Sequence, residues 1–174
     1  LHRSFQDRGG ISKKKYGFVG DLLRGRAARS LIYLLSKYPE VELYFVAPPT
    51  FQISYDIEGY LTTSKVNFQK TENLNEVLPE VDALYMTRVQ DEYDLSIGES
   101  ALVNTTDFHL TMKNLPLMKK DAVILHPLPR RKEIALEVDH DPRAMYWRQL
   151  RNGMYIRSAL LLYIFRMEHS LQEY

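Results

Sequence analysis

Residues 121–130 have the sequence DAVILHPLPR, and this stretch decides how the rest of the chain is interpreted. The apolar run at 122–125 is typical of a strand buried on both faces, and Pro127 cannot continue the hydrogen bonding of a sheet. Pro127 and Pro129 each fix φ, so the carbonyls that precede them point in set directions. A rigid loop at the end of a buried strand suits the binding of a small ligand. Taken alone, the stretch is explained more simply by a turn that only ends the strand.

Length, charge and cysteine content limit the class of protein. The 174 residues are enough for one domain with its own core. Lys plus Arg number 23 against 22 Asp plus Glu, so no overall charge attracts a nucleic acid. There is no cysteine, and the five histidines form neither HxxxH nor HExxH, so we expect no metal and no cofactor. The lack of a membrane-spanning apolar run or a signal peptide predicts a cytoplasmic protein that does not bind membranes.

Strands and helices are predicted to alternate along the chain. Strands are expected at residues 16–19, 43–46, 66–68, 82–86 and 121–125, and helices at 24–38, 56–63, 74–77 and 144–167. Residues 99–115 have a partly helical pattern, and Asn152-Gly153 allows a break in the last helix. The polar residues 1–15 are expected to be a linker or tail, which leaves 16–174 as the domain. The predicted fold class is α/β, a three-layer, Rossmann-like, doubly wound parallel sheet of about five strands with helices on both faces.

Two arginines lie in loops that this fold brings to the ligand-binding edge of the sheet. Ligands of doubly wound sheets bind beyond the carboxyl ends of the strands. The corresponding loops are residues 20–29, 47–51, 87–93 and 126–131. Arg26 and Arg88 each offer paired donors that match a carboxylate or phosphate, so together they suit a dicarboxylate. For either arginine alone, an ion pair with a structural carboxylate or a solvated side chain is the simpler interpretation.

Residues 20–27, GDLLRGRA, have the glycine spacing of a phosphate-binding P-loop, G-x-x-x-x-G-K-[ST]. Arg26 replaces the lysine, and Ala27 has no hydroxyl for a magnesium ion, so the segment argues against a nucleoside triphosphatase. What remains is a helix N-terminus with an arginine beside it, which favours an anion.

Six motifs occur in one order along the chain, and together they are more specific than any one of them. They are GDLLRGRAARSL (20–31), FVAPP (45–49), DALYMTRVQ (82–90), HPLPR (126–130), EVDHDPRAMYWRQ (137–149) and NGMYIRSALL (152–161). Over residues 16–164 the chain resembles the C-terminal, aspartate-binding half of aspartate carbamoyltransferases. The ornithine carbamoyltransferases typically have a reactive cysteine in the loop that here reads His-Pro-Leu-Pro, so the aspartate branch is favoured.

The resemblance implies that L-aspartate binds to side chains from two loops. Arg26 and Arg88 correspond to arginines that contact the aspartate carboxylates, and Gln90 corresponds to a glutamine near the same substrate. The implied reaction transfers the carbamoyl group of carbamoyl phosphate to the aspartate amine, which gives N-carbamoyl-L-aspartate and phosphate for pyrimidine biosynthesis. Both substrates are anions and the amine is its own nucleophile, so paired guanidinium groups suit the task without a catalytic triad.

Carbamoyl phosphate is implied to contact the loop after the fifth strand. Leu128 and Pro129 correspond to residues whose backbone carbonyls accept hydrogen bonds from the carbamoyl NH2 group. His126 and Arg157 correspond to supporting residues. The implied partner is the family's N-terminal carbamoyl-phosphate domain, which has no counterpart in this sequence, and the whole enzyme is expected to be a homotrimer. We therefore expect negligible activity from this chain alone.

Several positions depart from the family pattern and leave an alternative function open. Asp91-Glu92-Tyr93 stands where Lys-Glu-Arg is frequent, Ala27-Ala28-Arg29 replaces Thr-Val-His, and Arg131-Lys132 replaces an apolar and an acidic residue. Such changes either alter the affinity for substrate or indicate a degenerate relative of the family. The alternative is a non-catalytic carboxylate-binding or assembly module. The last helix has more apolar surface than one buried stripe requires, so it either fills this domain's core or needs a partner.

Overall fold

The computed structural model describes residues 1–94, 98–167 and 169, and it contains a five-stranded parallel sheet. The strands are β1 (Lys15–Val19), β2 (Glu42–Val46), β3 (Asn67–Thr71), β4 (Ala83–Met86) and β5 (Val123–Leu125). Their order across the sheet is β3-β2-β1-β4-β5, and each neighbouring pair is parallel. The chain winds outward from β1 in both directions, which confirms the predicted doubly wound α/β class.

Helices flank this sheet and connect its strands. The α-helices are α1 (His2–Phe5), α2 (Arg26–Leu35), α3 (Tyr55–Thr63), α4 (Leu74–Val77) and α5 (Tyr146–Ile164). The segment with a partly helical pattern forms short 3-10 helices, at Glu99–Leu102 and Thr106–Phe108, and a third follows at Leu115–Leu117. Further 3-10 helices lie at Pro49–Phe51, Asp91–Tyr93 and Leu136–His140.

Apolar side chains of the strands alternate between two cores, one on each face of the sheet. Phe18 and Phe45 pack with Ile57 of α3 in the first core. Val19 and Val46 point to the opposite face and belong to the second core. Successive residues of a strand face opposite sides of the sheet, so a strand that is buried on both sides needs a continuous apolar run. These runs are the signal from which the central strands were predicted.

Strand β3 is longer than the sequence predicted. The apolar pattern indicated residues 66–68, whereas β3 comprises Asn67–Thr71 and pairs with β2 along its whole length. It lies at an edge of the sheet, and three of its five residues are exposed, so its second half carries polar side chains. An edge strand does not need the apolar run that marks a central strand, and the pattern therefore missed this half.

Helix α2 is shorter than predicted at both ends. Residues 24–38 had the helical pattern, but Gly25 is the N-cap and the helix ends at Leu35. The N–H groups of Leu22 and Leu23 donate to the carbonyl of Phe51, at 2.8 and 3.1 Å. This contact holds the residues before the helix against the loop that follows β2.

Helix α5 continues without a break at Asn152-Gly153, so that part of the prediction was wrong. A glycine inside a helix costs about 1 kcal/mol, which the other residues of this long helix outweigh. The helix also starts later than predicted, because Ala144 instead forms a bridge with Ile124 of β5. Among the residues that the structure describes, no helix is both long and apolar enough to cross a membrane.

The N-terminal segment makes contacts with the sheet. Phe5 is 1% exposed, and its ring lies edge-on to Tyr16 with centroids 6.3 Å apart. Arg8 donates a hydrogen bond to the carbonyl of Asp121, just before β5. Part of the segment that was expected to be a linker or tail is therefore packed on the domain. The domain boundary at residue 16 stays a prediction that experiment can test.

Candidate functional site

The loops that follow β1 and β4 meet where the winding of the sheet reverses. Gly20 follows β1 with φ of 110°, and a Cβ atom there would lie 2.1 Å from the carbonyl oxygen of Thr87. Only glycine allows this approach of two backbones. The hydroxyl of Thr87 also donates to the carbonyl of Val19 at 3.0 Å. This contact places the two loops side by side at the crevice where doubly wound sheets bind ligands.

A cavity of about 300 Å³ lies at this crevice, formed by the start of α2 and the loops after β4 and β5. The predicted site residues that line it are Arg26, Arg88, Gln90, His126, Leu128 and Pro129. They come from three separate parts of the chain, so it is the sheet that brings them together. The volume suits a small molecule of the size of an amino acid.

Arg26 is the first residue of α2, and its side chain is exposed at this cavity. Within residues 1–94, 98–167 and 169, its guanidinium has no hydrogen-bond or ion-pair partner. The N-cap residue is Gly25, which has no side chain to accept a hydrogen bond from the first turn of the helix. The N–H groups of the first turn therefore add their partial positive charge to that of Arg26, which favours an anion.

Arg88 has a different environment, because a carboxylate already binds its guanidinium. Its Nη1 and Nη2 donate to Glu92 Oε2 at 2.8 Å and Oε1 at 2.5 Å. Nη1 also lies 3.6 Å from Asp91 Oδ1. The hydrogen bonds from Arg88 lower the pKa of Glu92. The alternative of a structural carboxylate partner is thus observed for Arg88. A guanidinium has five N–H donors, so a second anion can bind beside Glu92.

Gln90 is held in place through its backbone. Its N–H donates to Asp21 Oδ2 at 3.1 Å, and Arg24 Nη1 donates to its carbonyl at 2.9 Å. Asp21 is fully buried, and burial raises the pKa of its carboxyl group against the lowering effect of hydrogen bonds from the backbone of Arg24 and Gln90. Arg24 also donates to Asp94 Oδ1 at 2.7 Å. These bonds brace the loop after β4 against the loop after β1.

His126 shapes the loop after β5 from inside the protein. It is 1% exposed, and its Nδ1 accepts a hydrogen bond from the N–H of Leu128 at 2.8 Å. Nε2 therefore carries the ring proton and donates to Glu133 Oε1 at 2.7 Å. Leu128 has a φ of 58°, and the Leu128-Pro129 peptide bond is cis. The histidine thus supports the backbone at the two positions whose carbonyls were predicted to contact carbamoyl phosphate.

Comparison with known proteins identifies the family. A model of the aspartate/ornithine carbamoyltransferase Asp/Orn-binding domain matches residues 12–164. The chain belongs to this family. The chloroplastic aspartate carbamoyltransferase of Oryza sativa subsp. japonica is 43% identical over 155 residues, which cover 84% of this chain and 40% of the rice protein.

Solved carbamoyltransferase structures have the same fold. The catalytic subunit of M. jannaschii aspartate transcarbamoylase matches with a TM-score of 0.82 and 33% identity, covering 95% of this chain and 53% of that one. The Trypanosoma cruzi enzyme in complex with carbamoyl phosphate and aspartate matches with a TM-score of 0.81 and 33% identity, covering 91% of this chain and 52% of that one. The chain thus spans about two fifths of the rice protein and about half of each structure.

One predicted site residue of this carbamoyltransferase domain lies elsewhere. Arg157 is exposed on α5 and does not line the cavity, so its supporting role remains a prediction. Of the positions that depart from the family pattern, Ala27 and Tyr93 line the cavity. Asp91, Arg131 and Lys132 line a neighbouring cavity of about 940 Å³, which shares Thr87 and Glu92 with the first.

The sequence did not single out the buried charges that lie near this candidate site. Asp21 and Glu133 are 0% and 8% exposed. Arg24 donates hydrogen bonds to Gln90 and Asp94 and so joins the loop after β1 to the loop after β4. Asp21 offered one usable signal, because it lies two residues after a buried strand and just before two leucines. A polar group at such a position needs a partner. Glu133 and Arg24 lie in ordinary polar loops and offered none.

Proposed function

We propose that this chain is the aspartate-binding half of an aspartate carbamoyltransferase, which forms N-carbamoyl-L-aspartate and phosphate from carbamoyl phosphate and L-aspartate in pyrimidine biosynthesis. The observation that carries the proposal is the convergence of two arginines, a glutamine and the Leu128 and Pro129 backbone on one small cavity. Two guanidinium groups, a side-chain amide and two backbone carbonyls match a small dicarboxylic amino acid better than a nucleotide or a metal ion.

In this proposal the two carboxylates of aspartate bind to different guanidinium groups. Arg26 and the N-terminus of α2 bind one, and Arg88, which Glu92 holds in place, binds the other. Gln90 offers its amide between them. The carbonyls of Leu128 and Pro129 accept hydrogen bonds from the carbamoyl NH2 group, and the neutral aspartate amine attacks the carbamoyl carbon as phosphate leaves. Rate enhancement then comes from orientation and charge neutralisation.

The proposal requires a partner that binds the phosphate. The described part of α5 buries only Tyr146, so most of this apolar helix is open to another surface. We assign that surface to the N-terminal carbamoyl-phosphate domain of a carbamoyltransferase. A homotrimer of the whole enzyme and a cytoplasmic location belong to the same proposal, although the rice relative is named chloroplastic. Sedimentation of the assembled enzyme and cell fractionation would test these two points.

The occupied guanidinium of Arg88 favours a second candidate, a non-catalytic carboxylate-binding or assembly module. Glu92 lies four residues from Arg88 and accepts a hydrogen bond from each of its terminal nitrogens. If this tethered carboxylate keeps aspartate from Arg88, the domain keeps its fold and its α5 surface without supporting turnover. The two candidates differ in whether carbamoyl aspartate is formed.

The deciding experiment measures carbamoyl aspartate formed by this chain with and without a supplied N-terminal half from a related enzyme. We expect turnover only in the mixture, and Arg88→Ala should lower kcat/KM about a hundredfold because it removes a charge-assisted contact to substrate. Arg29→Ala is the matched control, since Arg29 binds Asp56 and does not line the cavity. Absence of turnover from a folded, associated mixture would move the assignment to the non-catalytic module.

A further inference from the structure

The loop that follows β5 is closed by a single carboxylate oxygen. Oε1 of Glu133 accepts a hydrogen bond from His126 Nε2 at 2.7 Å and a second from the backbone N–H of Arg131 at 2.9 Å. His126 begins this loop and Arg131 ends it, so one oxygen holds both ends together. Glu133 and His126 are buried, and both hydrogen bonds therefore lie where water does not weaken them.

The same carboxylate determines which ring nitrogen of His126 carries the proton. Nδ1 accepts the N–H of Leu128 at 2.8 Å, and an accepting ring nitrogen has no hydrogen of its own. In the other tautomer, an Nδ1–H group would face the N–H of Leu128, and Nε2 would face the carboxylate without a proton between them. Both hydrogen bonds would then be lost. Glu133 thus favours the one tautomer that can hold the backbone at Leu128.

Leu128 needs this support because its backbone conformation is disfavoured. Its φ of 58° lies in the left-handed region, which leucine rarely adopts. The hydrogen bond from its N–H to a side chain two residues earlier is the contact that asparagine or aspartate makes in a turn. Leu128 lines the cavity together with Pro129. The conformation held in this way therefore sets the direction of the carbonyls at the cavity.

We propose that Glu133 is a positioning residue that acts through His126 and the backbone of Arg131. By closing the loop and fixing the tautomer, it keeps the carbonyls of Leu128 and Pro129 directed at the cavity. The inference rests on the proposed function, in which those carbonyls accept hydrogen bonds from the carbamoyl NH2 group. Because both donors use the same oxygen, the role depends on the reach of the side chain and does not require its negative charge.

Two substitutions separate reach from charge. Glu133→Gln keeps an oxygen at the same distance from the backbone and removes the charge, whereas Glu133→Asp keeps the charge and shortens the side chain by one methylene group. Proton–nitrogen NMR at neutral pH should show His126 as the Nε2–H tautomer in the unsubstituted chain and in Glu133→Gln. In Glu133→Asp we expect a mixture of tautomers, and hydrogen exchange at the Leu128 amide should become about tenfold faster.

The effect on turnover is measured in the mixture of this chain with a supplied N-terminal half. Glu133→Asp should lower kcat about tenfold, the effect of one hydrogen bond lost from the transition state. It should change KM for aspartate less than about twofold, because the charge that Arg88 experiences from this position is kept. Glu133→Gln should keep kcat within about twofold of the original value. Glu137→Gln, at an exposed carboxylate of the same segment, is the control and should keep both constants.

The NMR spectra test the inference independently of the proposed function. If Glu133→Asp keeps the Nε2–H tautomer and the protection of the Leu128 amide, the inference is wrong whatever the substrate is. A loss of the tautomer or of kcat in Glu133→Gln would also overturn it, and this variant decides alone if Glu133→Asp does not fold. If the unsubstituted mixture forms no carbamoyl aspartate while the spectra change as expected, the proposed function fails and the positioning of the loop by Glu133 stands.

Discussion

Among single residues, Gly20 has the least freedom to vary, because it combines a positive φ with the close approach of the Thr87 backbone. We expect Gly20→Ala to destabilise the chain by about 2 kcal/mol or more, since a methyl group would overlap the Thr87 carbonyl in a disfavoured backbone conformation. Urea unfolding measures this. Gly59→Ala is the matched control, because Gly59 lies inside α3 with no atom within 4 Å of the added carbon. That variant should gain about 0.5 to 1 kcal/mol, and similar losses in both would contradict the argument.

Glu133 has a buried carboxyl group that should make the unfolding free energy depend on pH. Burial raises the pKa of its carboxyl group, but hydrogen bonds from His126 and from the backbone outweigh burial and leave the pKa below the ordinary 4.5. A carboxyl with a lower pKa in the folded state stabilises the fold above its unfolded pKa, and this contribution is lost as the pH falls.

Between about pH 5 and pH 3, the unsubstituted chain should therefore lose more stability than Glu133→Gln. The measurement is the urea midpoint as a function of pH. Glu137→Gln, at an exposed position, should follow the unsubstituted chain over the whole range. Parallel curves for Glu133→Gln and the unsubstituted chain would show that this carboxyl does not contribute.

Among the helices and strands, α5 has the largest number of exposed large apolar side chains. Its exposed large apolar residues include Leu150, Met154, Ile156, Leu160, Leu161 and Ile164. Aliphatic surface of this extent along one helix is the kind of surface that the proposed N-terminal partner would cover. The sequence left open whether the helix fills the domain's own core, and the exposure decides against that alternative.

Leu160→Lys should therefore leave the unfolding free energy of the chain within about 0.5 kcal/mol, because Leu160 is 55% exposed. The same variant should weaken association with a supplied N-terminal half, measured by sedimentation. Arg151→Gln, a polar change on the same helix, should affect neither quantity. A loss of stability with association unchanged would place Leu160 in the domain's own core instead.

At the scale of the whole molecule, residues before the predicted boundary at residue 16 pack on the domain. Phe5 belongs to the same core as Phe18 and Phe45, so the first residues contribute to the fold. We expect Phe5→Ala to cost about 3 kcal/mol of unfolding free energy, the usual penalty for truncating a buried aromatic ring. Gln6→Ala, at an exposed neighbour, is the control. If the two variants were equally stable, that result would support the prediction that residues 1–15 are a linker or tail.

The sequence by itself determined the central strands and the loops that carry the site. Strands β1, β2, β4 and β5 are buried on both faces, so each needs an apolar run that is visible locally. The order of strands and helices then implied a parallel sheet, and its ligand-binding edge follows from that topology. Arg26, Arg88 and the residues of the HPLP loop were predictable for this reason.

Only the tertiary structure decided which charges meet. Whether Arg88 binds Glu92, whether Asp91 binds Arg131 and whether Asp21 is buried depend on distances between loops that are far apart in sequence. The extent of β3 was decided in the same way, because an edge strand is held by hydrogen bonds to β2 rather than by its own apolar side chains. Local sequence patterns indicate which residues are buried and where turns occur. The pairing of charged side chains depends instead on how the assembled sheet brings distant loops together.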